Sequence, residues 1–396
     1  MSPALVVVTL ALLLGIQPVT TDLYLPALPA LTTGFGARVA DAQLTLSALL
    51  LAFGCAQLVL GPLSDRFGRR PVLLCGLTAY VIAAVGGALA PSMDLLIVWR
   101  TLQGAAMGAA VMAARAVVRD LYQPVEGARV MSRALTGLGA IACVCAPLGG
   151  LVSDLFNWRI ALLVPAVFGA LTLGLIVLRF EETLASRNLQ ALRAGTLLRT
   201  WAMVLRNPTF LAFCALTTAS YSVLFTFLAA SSFVFIQVLG LTKTQYGLVM
   251  LWNSVAYVTG TILCRRWLLR YGVRRSVARA AVLSLTGGSV MGGLALAGVQ
   301  SVAAILVPLT LVMLAHGVHQ PCGQSGAVGP FPKAAGAASA LNGFVMMLAA
   351  FGVGGWLGTH IDGTVLPLTM GMWFWCVCIA LIAWTLVWRY GEPRGG

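Results

Sequence analysis

The stretch Gly61-Pro62-Leu63-Ser64-Asp65-Arg66-Phe67-Gly68-Arg69-Arg70-Pro71 carries the strongest signal in this chain. It is a short polar turn between two long apolar runs. Gly61 allows close contact between helices, and Gly68 allows a turn with positive φ. Asp65 is a lone acid among three arginines, so it can pair with a basic helix end or lie at a helix N-terminus, whose dipole attracts anions. Such a contact can form in one conformation and break in another, which predicts a gate.

Apolar sequence surrounds this turn on both sides. The 396 residues are 60% hydrophobic and only 9% charged, and the mean hydropathy is +0.94. Soluble proteins carry about 25% charged residues. The composition therefore excludes a water-soluble enzyme, a disordered chain and a collagen-like fibre. Because each membrane crossing needs about 20 apolar residues, the chain is predicted to be an all-α membrane protein with twelve helices and short loops.

Charge-free runs place the twelve spans. The run 280–332 contains no Asp, Glu, Lys or Arg and is too long for one crossing, so a break is expected at the turn-like residues 298–301. The first run could be a cleaved signal peptide, but it starts without Lys or Arg and has no small-residue cleavage site, which favours a true span. The predicted spans are 4–28, 43–63, 71–90, 95–114, 134–153, 160–178, 208–231, 244–264, 278–297, 302–320, 336–358 and 365–388.

The basic residues are distributed unevenly between the two sides of the membrane. The net charge is +14, and most Lys and Arg lie in the even-numbered connections and the C-terminal tail. The odd-numbered connections hold Arg38, Arg159 and Lys243. The positive-inside rule then places the even connections and both termini in the cytoplasm. A nucleic-acid-binding surface would also be basic, but the long charge-free run excludes a soluble protein of that kind.

The longest polar connection divides the chain into halves. We predict an N-terminal six-helix bundle over 1–179, a cytoplasmic connection over 180–207 and a C-terminal six-helix bundle over 208–396. An internal echo supports this division, because 66–70 (RFGRR) and 270–275 (RYGVRR) lie about half a chain apart and each follows the second span of its half. Parallel six-helix repeats are a known transporter plan.

Two charged residues fall inside predicted spans. Asp22 is an acid in the first span, and a carboxylate at membrane depth costs about 2.5–3.5 kcal/mol, so it should face the protein interior or a wet cavity. A group whose proton affinity changes with conformation suits a proton-coupled carrier. Arg100 in the fourth span is its expected partner, on the same helical face as Gln103. The alternatives are a capping acid near a helix kink and an arginine that reaches the outer surface.

Several motifs together resemble a known family. The 61–71 loop resembles the signature loop of the major facilitator superfamily, and Arg100-Thr101-Leu102-Gln103-Gly104 resembles its fourth-helix motif. Gly137, Gly139, Pro147, Gly149 and Gly150 resemble the fifth-helix motif of proton antiporters. Residues 22–26, Arg115 with 118–122, and 335–341 resemble the bicyclomycin/chloramphenicol-resistance (Bcr/CflA) branch of twelve-helix drug:proton antiporters. The fifth-helix motif has Ala146 where Gly is common, and the second-half echo of the loop has no acid.

The resemblance implies two six-helix bundles around a cavity that opens alternately to each side. Proton coupling then falls on Asp22 and Arg100, and the gate on Gly61, Asp65, Arg66, Gly68, Arg69 and Arg70. In relatives the loop acid engages an arginine at the inner end of the fourth helix, for which Arg115 and Arg119 are the candidates. Lining of a substrate cavity is assigned to Tyr24, Gln103, Tyr221, Phe225, Asn253 and Asn342.

The resulting prediction is a proton-coupled exporter of small lipophilic or antibiotic-like compounds in the bacterial inner membrane. An exporter or importer of a native metabolite on the same fold is the alternative. No cofactor, metal or nucleic-acid partner is expected, the proton gradient supplies the energy, and a monomer is predicted. A membrane enzyme would need a cluster of acids or histidines at the surface, which the sequence lacks. His316 and His319, without a third ligand, are expected to be structural.

Overall fold

A computed structural model describes residues 2–184, 186–187 and 191–391 of the chain. Every regular element in these ranges is helical. The chain forms two compact units, Met1–Leu198 and Arg199–Gly396, and the boundary between them falls within the predicted cytoplasmic connection. Parts of that connection (185 and 188–190) and the end of the predicted C-terminal bundle (392–396) lie outside the described residues.

The first unit contains the helices of the predicted N-terminal bundle. Helix α1 packs against α5, α6 and α7, while α5 packs against α3 and α4. A single 3-10 turn, Leu25–Ala27, connects α1 to α2. The helices are α1 (Pro3–Thr21), α2 (Leu28–Phe35), α3 (Val39–Phe67), α4 (Arg69–Ala88), α5 (Met93–Leu121), α6 (Pro124–Leu155) and α7 (Trp158–Arg179).

The second unit is built around α9 and α11. Helix α9 packs against α11, α12 and α13, and α11 packs closely against α10. Short π-helical segments follow α9 and α13, at Phe233–Val238 and Ala383–Val387, and a 3-10 turn, Pro332–Ala334, precedes α12. The boundary between the units falls within α8 (Ala194–Leu205). The helices of the second unit are α9 (Pro208–Ser232), α10 (Lys243–Leu296), α11 (Val302–Val328), α12 (Ala335–His360), α13 (Leu366–Ile382) and α14 (Trp388–Tyr390).

Side-chain caps start several of the long helices. Ser92 Oγ accepts a hydrogen bond from the Leu95 N–H (3.3 Å) at the start of α5. Asn207 Oδ1 accepts one from the Phe210 N–H (3.0 Å) at the start of α9. Caps of this kind satisfy N–H groups that have no partner inside the helix. Several of the apolar helices therefore begin at a Ser or Asn cap.

The prediction of an all-α membrane protein is confirmed, with local differences in the spans. Among the described residues, eleven helices are long and apolar enough to cross a membrane. One of them, α10, has 54 residues and at 1.5 Å per residue is long enough for two crossings. Its helical geometry breaks at Gly272, where φ is 71°. The segment Lys243–Leu296 is therefore two helices that meet at Gly272, between the predicted spans 244–264 and 278–297.

The first predicted span is not one helix. Helix α1 ends at Thr21, and the chain continues through Asp22–Tyr24 and the turn Leu25–Ala27 into α2. Pro26 and Pro29 have no N–H to donate to a continuous helix. A second difference is α8, a helix within the connection that was predicted only as polar sequence.

Candidate functional site

Asp22 lies at the break between α1 and the turn that follows it. Its backbone N–H donates to the carbonyl of Pro18 (2.8 Å), so it is the last residue held by α1. The side chain is half-buried and accepts a hydrogen bond from Thr21 Oγ1 (2.8 Å). The helix break thus places a carboxyl group within a membrane-spanning segment, with a neutral hydroxyl as its hydrogen-bond partner.

Arg100 lies on α5 and is completely buried. Its Nη2 donates to the carbonyl of Thr20 (3.0 Å), and its Nη1 donates to Gln103 Oε1 (2.9 Å). The guanidinium also lies over the ring of Tyr24, 4.2 Å from the ring centre. Arg100 therefore binds the chain on both sides of Asp22, at Thr20 and Tyr24. Within the described residues the structure records no ion pair between Arg100 and Asp22.

Two tyrosine hydroxyls complete this arrangement. Tyr80 on α4 shares a 2.6 Å hydrogen bond with Thr20 Oγ1, and Tyr24 shares one of the same length with Thr45 Oγ1 on α3. Both tyrosines are buried. Of the residues assigned to the substrate cavity, Tyr24 and Gln103 thus belong to one hydrogen-bonded cluster around Arg100. Thr20, Thr45 and Tyr80 belong to it as well and were not singled out from the sequence, where they look like ordinary residues of apolar helices.

The glycines of the antiporter motif differ in their surroundings along α6. A Cβ at Gly149 would overlap the carbonyl of Leu23, next to Asp22, and a Cβ at Gly137 would come within 2.8 Å of Ala11 Cβ. A Cβ at Gly139 would have no atom within 4 Å. Gly150 is buried, and Pro147 is half-buried inside the helix. Gly149 thus brings α6 against the segment that carries Asp22, and Gly137 brings it against the middle of α1.

The turn between α3 and α4 contains a buried ionic cluster centred on Arg69. Gly68 has φ 107°, which favours glycine. Arg69 is 4% exposed. Its Nη1 donates to Asp65 Oδ1 (2.6 Å) and its Nε donates to Asp120 Oδ2 (2.8 Å). Side-chain exposure is 45% for Asp65 and 14% for Asp120. The cluster ties the α3–α4 turn to the end of α5.

This arrangement differs from the expected partners of Asp65. The structure joins Asp65 to Arg69, and the α5 residue in the cluster is Asp120, the neighbour of Arg119. The side chains of Arg115 and Arg119 are exposed on α5. Arg66 is also exposed, and its guanidinium lies 5.4 Å from the ring centre of Phe67. Arg69, predicted as a residue of the same loop, is thus the ion-pair partner that the structure records for Asp65.

A second contact comes from the segment after α7. The Glu182 carboxylate accepts hydrogen bonds from the N–H groups of Arg69 (2.9 Å) and Arg70 (3.1 Å), the first two residues of α4. Thr183 Oγ1 donates to Asp120 Oδ2 (3.2 Å). Partial burial raises the pKa of the Glu182 carboxyl group. The hydrogen bonds from backbone N–H groups lower it by more, so the pKa is below its usual value; these N–H groups belong to Leu184, Arg69, Arg70 and Thr183. Sequence analysis missed Glu182 because it is 113 residues from Arg69.

Arg70 joins the same segment in another way. Its Nη2 donates to the carbonyl of Val177 (3.1 Å) near the end of α7. The 61–71 loop of the first unit is therefore bound to α5, to α7 and to the residues after α7. At Gly61, a Cβ would meet no atom of the described residues within 4 Å, so the structure records no close helix contact at that position.

The second unit contains a separate polar cluster. Thr217 Oγ1 on α9 donates to Asn342 Oδ1 on α12 (2.8 Å), and Gln320 Nε2 on α11 donates to the Thr217 carbonyl (3.0 Å). Asn253 on α10 is 5% exposed. Neither amide atom of Asn253 has a hydrogen-bond partner among the described residues. Other buried side chains on these helices are Tyr221 and Phe225, which were assigned to the cavity, and His316, whose Nδ1 lies 2.8 Å from Ser220 Oγ.

A model of one known protein family matches most of this chain. The family model described as Major Facilitator Superfamily matches residues 10–352. The chain belongs to the major facilitator superfamily. It is therefore a membrane transporter and not an enzyme, as predicted from its composition and motifs.

Two curated relatives of this superfamily member align along nearly its whole length. One is the Uncharacterized MFS-type transporter YdgK of Bacillus subtilis (strain 168), which is 27% identical over 374 residues and covers 91% of this chain and 90% of its own. The other is Multidrug resistance protein MdtL of Escherichia coli (strain K12 / DH10B). It is 29% identical over 370 residues, covering 90% of this chain and 92% of MdtL.

Solved structures show the same fold at low sequence identity. The xylose transporter XylE from E. coli, in a partially occluded inward open conformation, aligns with a TM-score of 0.77 at 14% identity. That alignment covers 99% of this chain and 100% of XylE. The human organic anion transporter MFSD10 (TETRAN) aligns with a TM-score of 0.67 at 19% identity, over 98% and 100% of the two chains. These likenesses bear on the fold alone.

Proposed function

We propose that this superfamily member is a proton-coupled exporter of small, largely apolar toxic compounds, of the Bcr/CflA branch. It works by alternating access as a monomer in the bacterial inner membrane, with both termini in the cytoplasm. The relationship to MdtL, at 29% identity over nine-tenths of this chain, supports drug export. The motifs of the first, fourth and fifth spans support proton antiport.

The observation that carries the proposal is the position of Asp22. It is a half-buried acid at a helix break, and its side chain accepts a hydrogen bond from the neutral Thr21 hydroxyl. A carboxylate without a cation partner is costly in low-dielectric surroundings. Such a group binds a proton when it is enclosed and releases it when water reaches it. Asp22 is the proton site, and movement of the α1 break sets its access to water.

The ionic cluster around Arg69 is the gate of the first unit. Its members come from three separate parts of the chain, the α3–α4 turn, the end of α5 and the segment after α7. When these parts separate, the ion pairs and hydrogen bonds of the cluster break together and water reaches the charged groups. The gate therefore has two discrete states, closed and open, without a range of intermediate ones. Cargo contacts fall on Tyr24 and Gln103 in the first unit and on Tyr221, Phe225, Asn253 and Asn342 in the second.

Transport measurements on an Asp22 variant test the proposal. Wild-type protein should raise the resistance of a pump-deleted host to chloramphenicol or bicyclomycin, and energised inverted vesicles should release protons when the compound is added. Asp22→Asn should lose both effects. The control is Asp94→Asn, which neutralises an exposed acid in the first turn of α5 and should behave as wild type. Full proton-driven transport by Asp22→Asn would overturn the assignment.

A further inference from the structure

Arg100 differs from the other buried arginine of the first unit in having no anionic partner. Arg69 is bound by two carboxylates, at 2.6 and 2.8 Å. Arg100 is more deeply buried, at 0% exposure, and its hydrogen-bond acceptors are a backbone carbonyl and a neutral amide. No carboxylate forms a salt bridge with it among the described residues. The first unit therefore holds a buried cation whose charge is not neutralised by a neighbouring side chain.

Two hydrogen-bond donors in this cluster are also unused. Arg100 Nε and Gln103 Nε2 are buried and have no hydrogen-bond partner in the described part of the chain. The Tyr80 hydroxyl is close to the Gln103 amide but does not complete a hydrogen bond with it. Arg100 and Gln103 are three residues apart on α5, so both side chains leave the same face of the helix. The cluster around Arg100 thus lacks one negative charge and hydrogen-bond acceptors for two N–H groups.

The physical cost of this arrangement is high. Removing a guanidinium from water costs several kcal/mol unless an anion and further hydrogen bonds compensate. The Tyr24 ring at 4.2 Å and the Thr20 carbonyl offset part of that cost, because a π face and a carbonyl oxygen both carry partial negative charge. A site that accepts an anion needs the charge and the free donors.

We propose that Arg100 and Gln103 form a recognition site for an anionic group of the cargo, a carboxylate or a similar planar oxyanion. The guanidinium presents N–H groups in a rigid planar fork that matches the two oxygens of a carboxylate. Arg100 Nε and Gln103 Nε2 are the donors available to it. This inference rests on the proposed function and specifies its cargo: lipophilic weak acids are preferred over neutral molecules of the same shape.

Access to this site requires a conformational change. In the conformation described here Arg100 has no exposed surface, and the ring of Tyr24 covers it. Tyr24 is held by its hydrogen bond to Thr45 on α3. An anion reaches the guanidinium only when the segment around Tyr24 moves away from α5. The donor pair is therefore ready before the cargo arrives, and the Tyr24 segment controls entry.

A matched pair of probes tests the proposal. Benzoate and benzamide have nearly the same size and shape, but only benzoate is an anion at pH 7.5. Binding of each to the full-length protein in lipid nanodiscs is measured by thermal shift, and uptake of each by counterflow in proteoliposomes. We expect wild type to bind benzoate at least tenfold more tightly than benzamide. Arg100→Gln should remove that preference, because it should weaken binding of benzoate far more than binding of benzamide.

Arg159 provides the control variant. It also stacks on an aromatic ring, 4.1 Å from the ring centre of Trp158, and donates to a backbone carbonyl, that of Ala90 (3.0 Å), but it is partly exposed at the start of α7. Arg159→Gln should keep the benzoate preference. If Arg100→Gln does not fold, Arg100→Lys replaces it, because lysine keeps the charge and loses the fork, and the preference should fall severalfold.

Three outcomes would overturn the inference. Wild type could fail to distinguish the two probes, Arg100→Gln could weaken both equally, or Arg159→Gln could lose the preference as fully as Arg100→Gln. Failure of the proposed function looks different. In that case wild type exports no neutral drug under a proton gradient, whereas failure of the present inference alone leaves drug export intact and abolishes only the preference for the anion.

Discussion

Glu182 shows how one side chain determines where a connecting segment attaches. Its carboxylate accepts hydrogen bonds from the first two N–H groups of α4. These N–H groups have no partner inside the helix, and the positive end of the helix dipole favours the ionised acid. The exposed residue Glu182 thereby serves as a capping group supplied from more than a hundred residues away.

This contact predicts a defined pH dependence of stability. The folded-state pKa of Glu182 lies below its ordinary value of 4.5. The carboxylate therefore contributes stability fully above about pH 4.5, and the contribution is lost as the pH falls through the lowered pKa. We expect Glu182→Gln to melt at a lower temperature than wild type at pH 7, with the gap closing as the pH approaches 3.

Thermal unfolding of the purified protein in detergent between pH 7 and pH 3 measures this gap. A constant difference between wild type and Glu182→Gln across the whole range would contradict the assignment.

Residues that act through local spacing could be predicted from the sequence, and residues that act across the fold could not. Asp65 and Arg69 are four residues apart, so their participation in one loop was visible in the 61–71 stretch. Glu182 and Tyr80 come from distant parts of the chain and look like ordinary loop and helix residues. Asp22 and Arg100 were singled out because charge in an apolar span is rare, but only the structure shows that each has neutral hydrogen-bond partners.

At the scale of a helix, α6 provides a test of close packing within a single motif. The carbonyl of Leu23 occupies the space that a Cβ at Gly149 would need, whereas a Cβ at Gly139 would meet nothing within 4 Å. Gly149→Ala should destabilise the protein by about 1–3 kcal/mol, the usual cost of overpacking. Gly139→Ala should be neutral or stabilising by up to about 1 kcal/mol, because alanine favours the helix.

Melting temperatures and the monodisperse fraction after gel filtration measure both variants. Equal losses for the two substitutions would show that α6 does not pack as described. The same comparison bears on transport, since Gly149 contacts the residue next to Asp22. A Gly149→Ala protein that folds should have altered proton coupling, and Gly139→Ala should not.

Helix existence was easier to predict than helix ends. Hydrophobic length alone gave the crossing elements, and the break expected at 298–301 lies between the end of α10 at Leu296 and the start of α11 at Val302. The helix α8 was not predicted, and a helix kink near Asp22 was predicted only as an alternative to the proton-coupling role of that residue. Prolines after Asp22 lack the backbone N–H that a continuous helix needs, a loss that apolar run lengths do not report.

For the whole molecule, the distribution of basic residues predicts the orientation in the membrane. Even-numbered connections should lie in the cytoplasm, because Lys and Arg are retained on that side during insertion. Truncated chains fused to green fluorescent protein after Asn207 should fluoresce, and alkaline phosphatase fused at the same point should be inactive. Fusions after Gly240, between α9 and α10, should give the reverse. Active phosphatase after Asn207 would contradict the orientation.

Gly68 and Gly272 have a consequence for how the two units came to differ. Both have positive φ, 107° and 71°, and any residue with a Cβ is strained there. A side chain at either position would therefore strain the backbone of its turn. If the two units descend from a duplicated six-helix ancestor, these two glycines are the ancestral residues that are hardest to replace. Asp65 lies beside the turn at Gly68, and no acid lies beside the turn at Gly272. This difference then indicates that the first unit became specialised after the duplication.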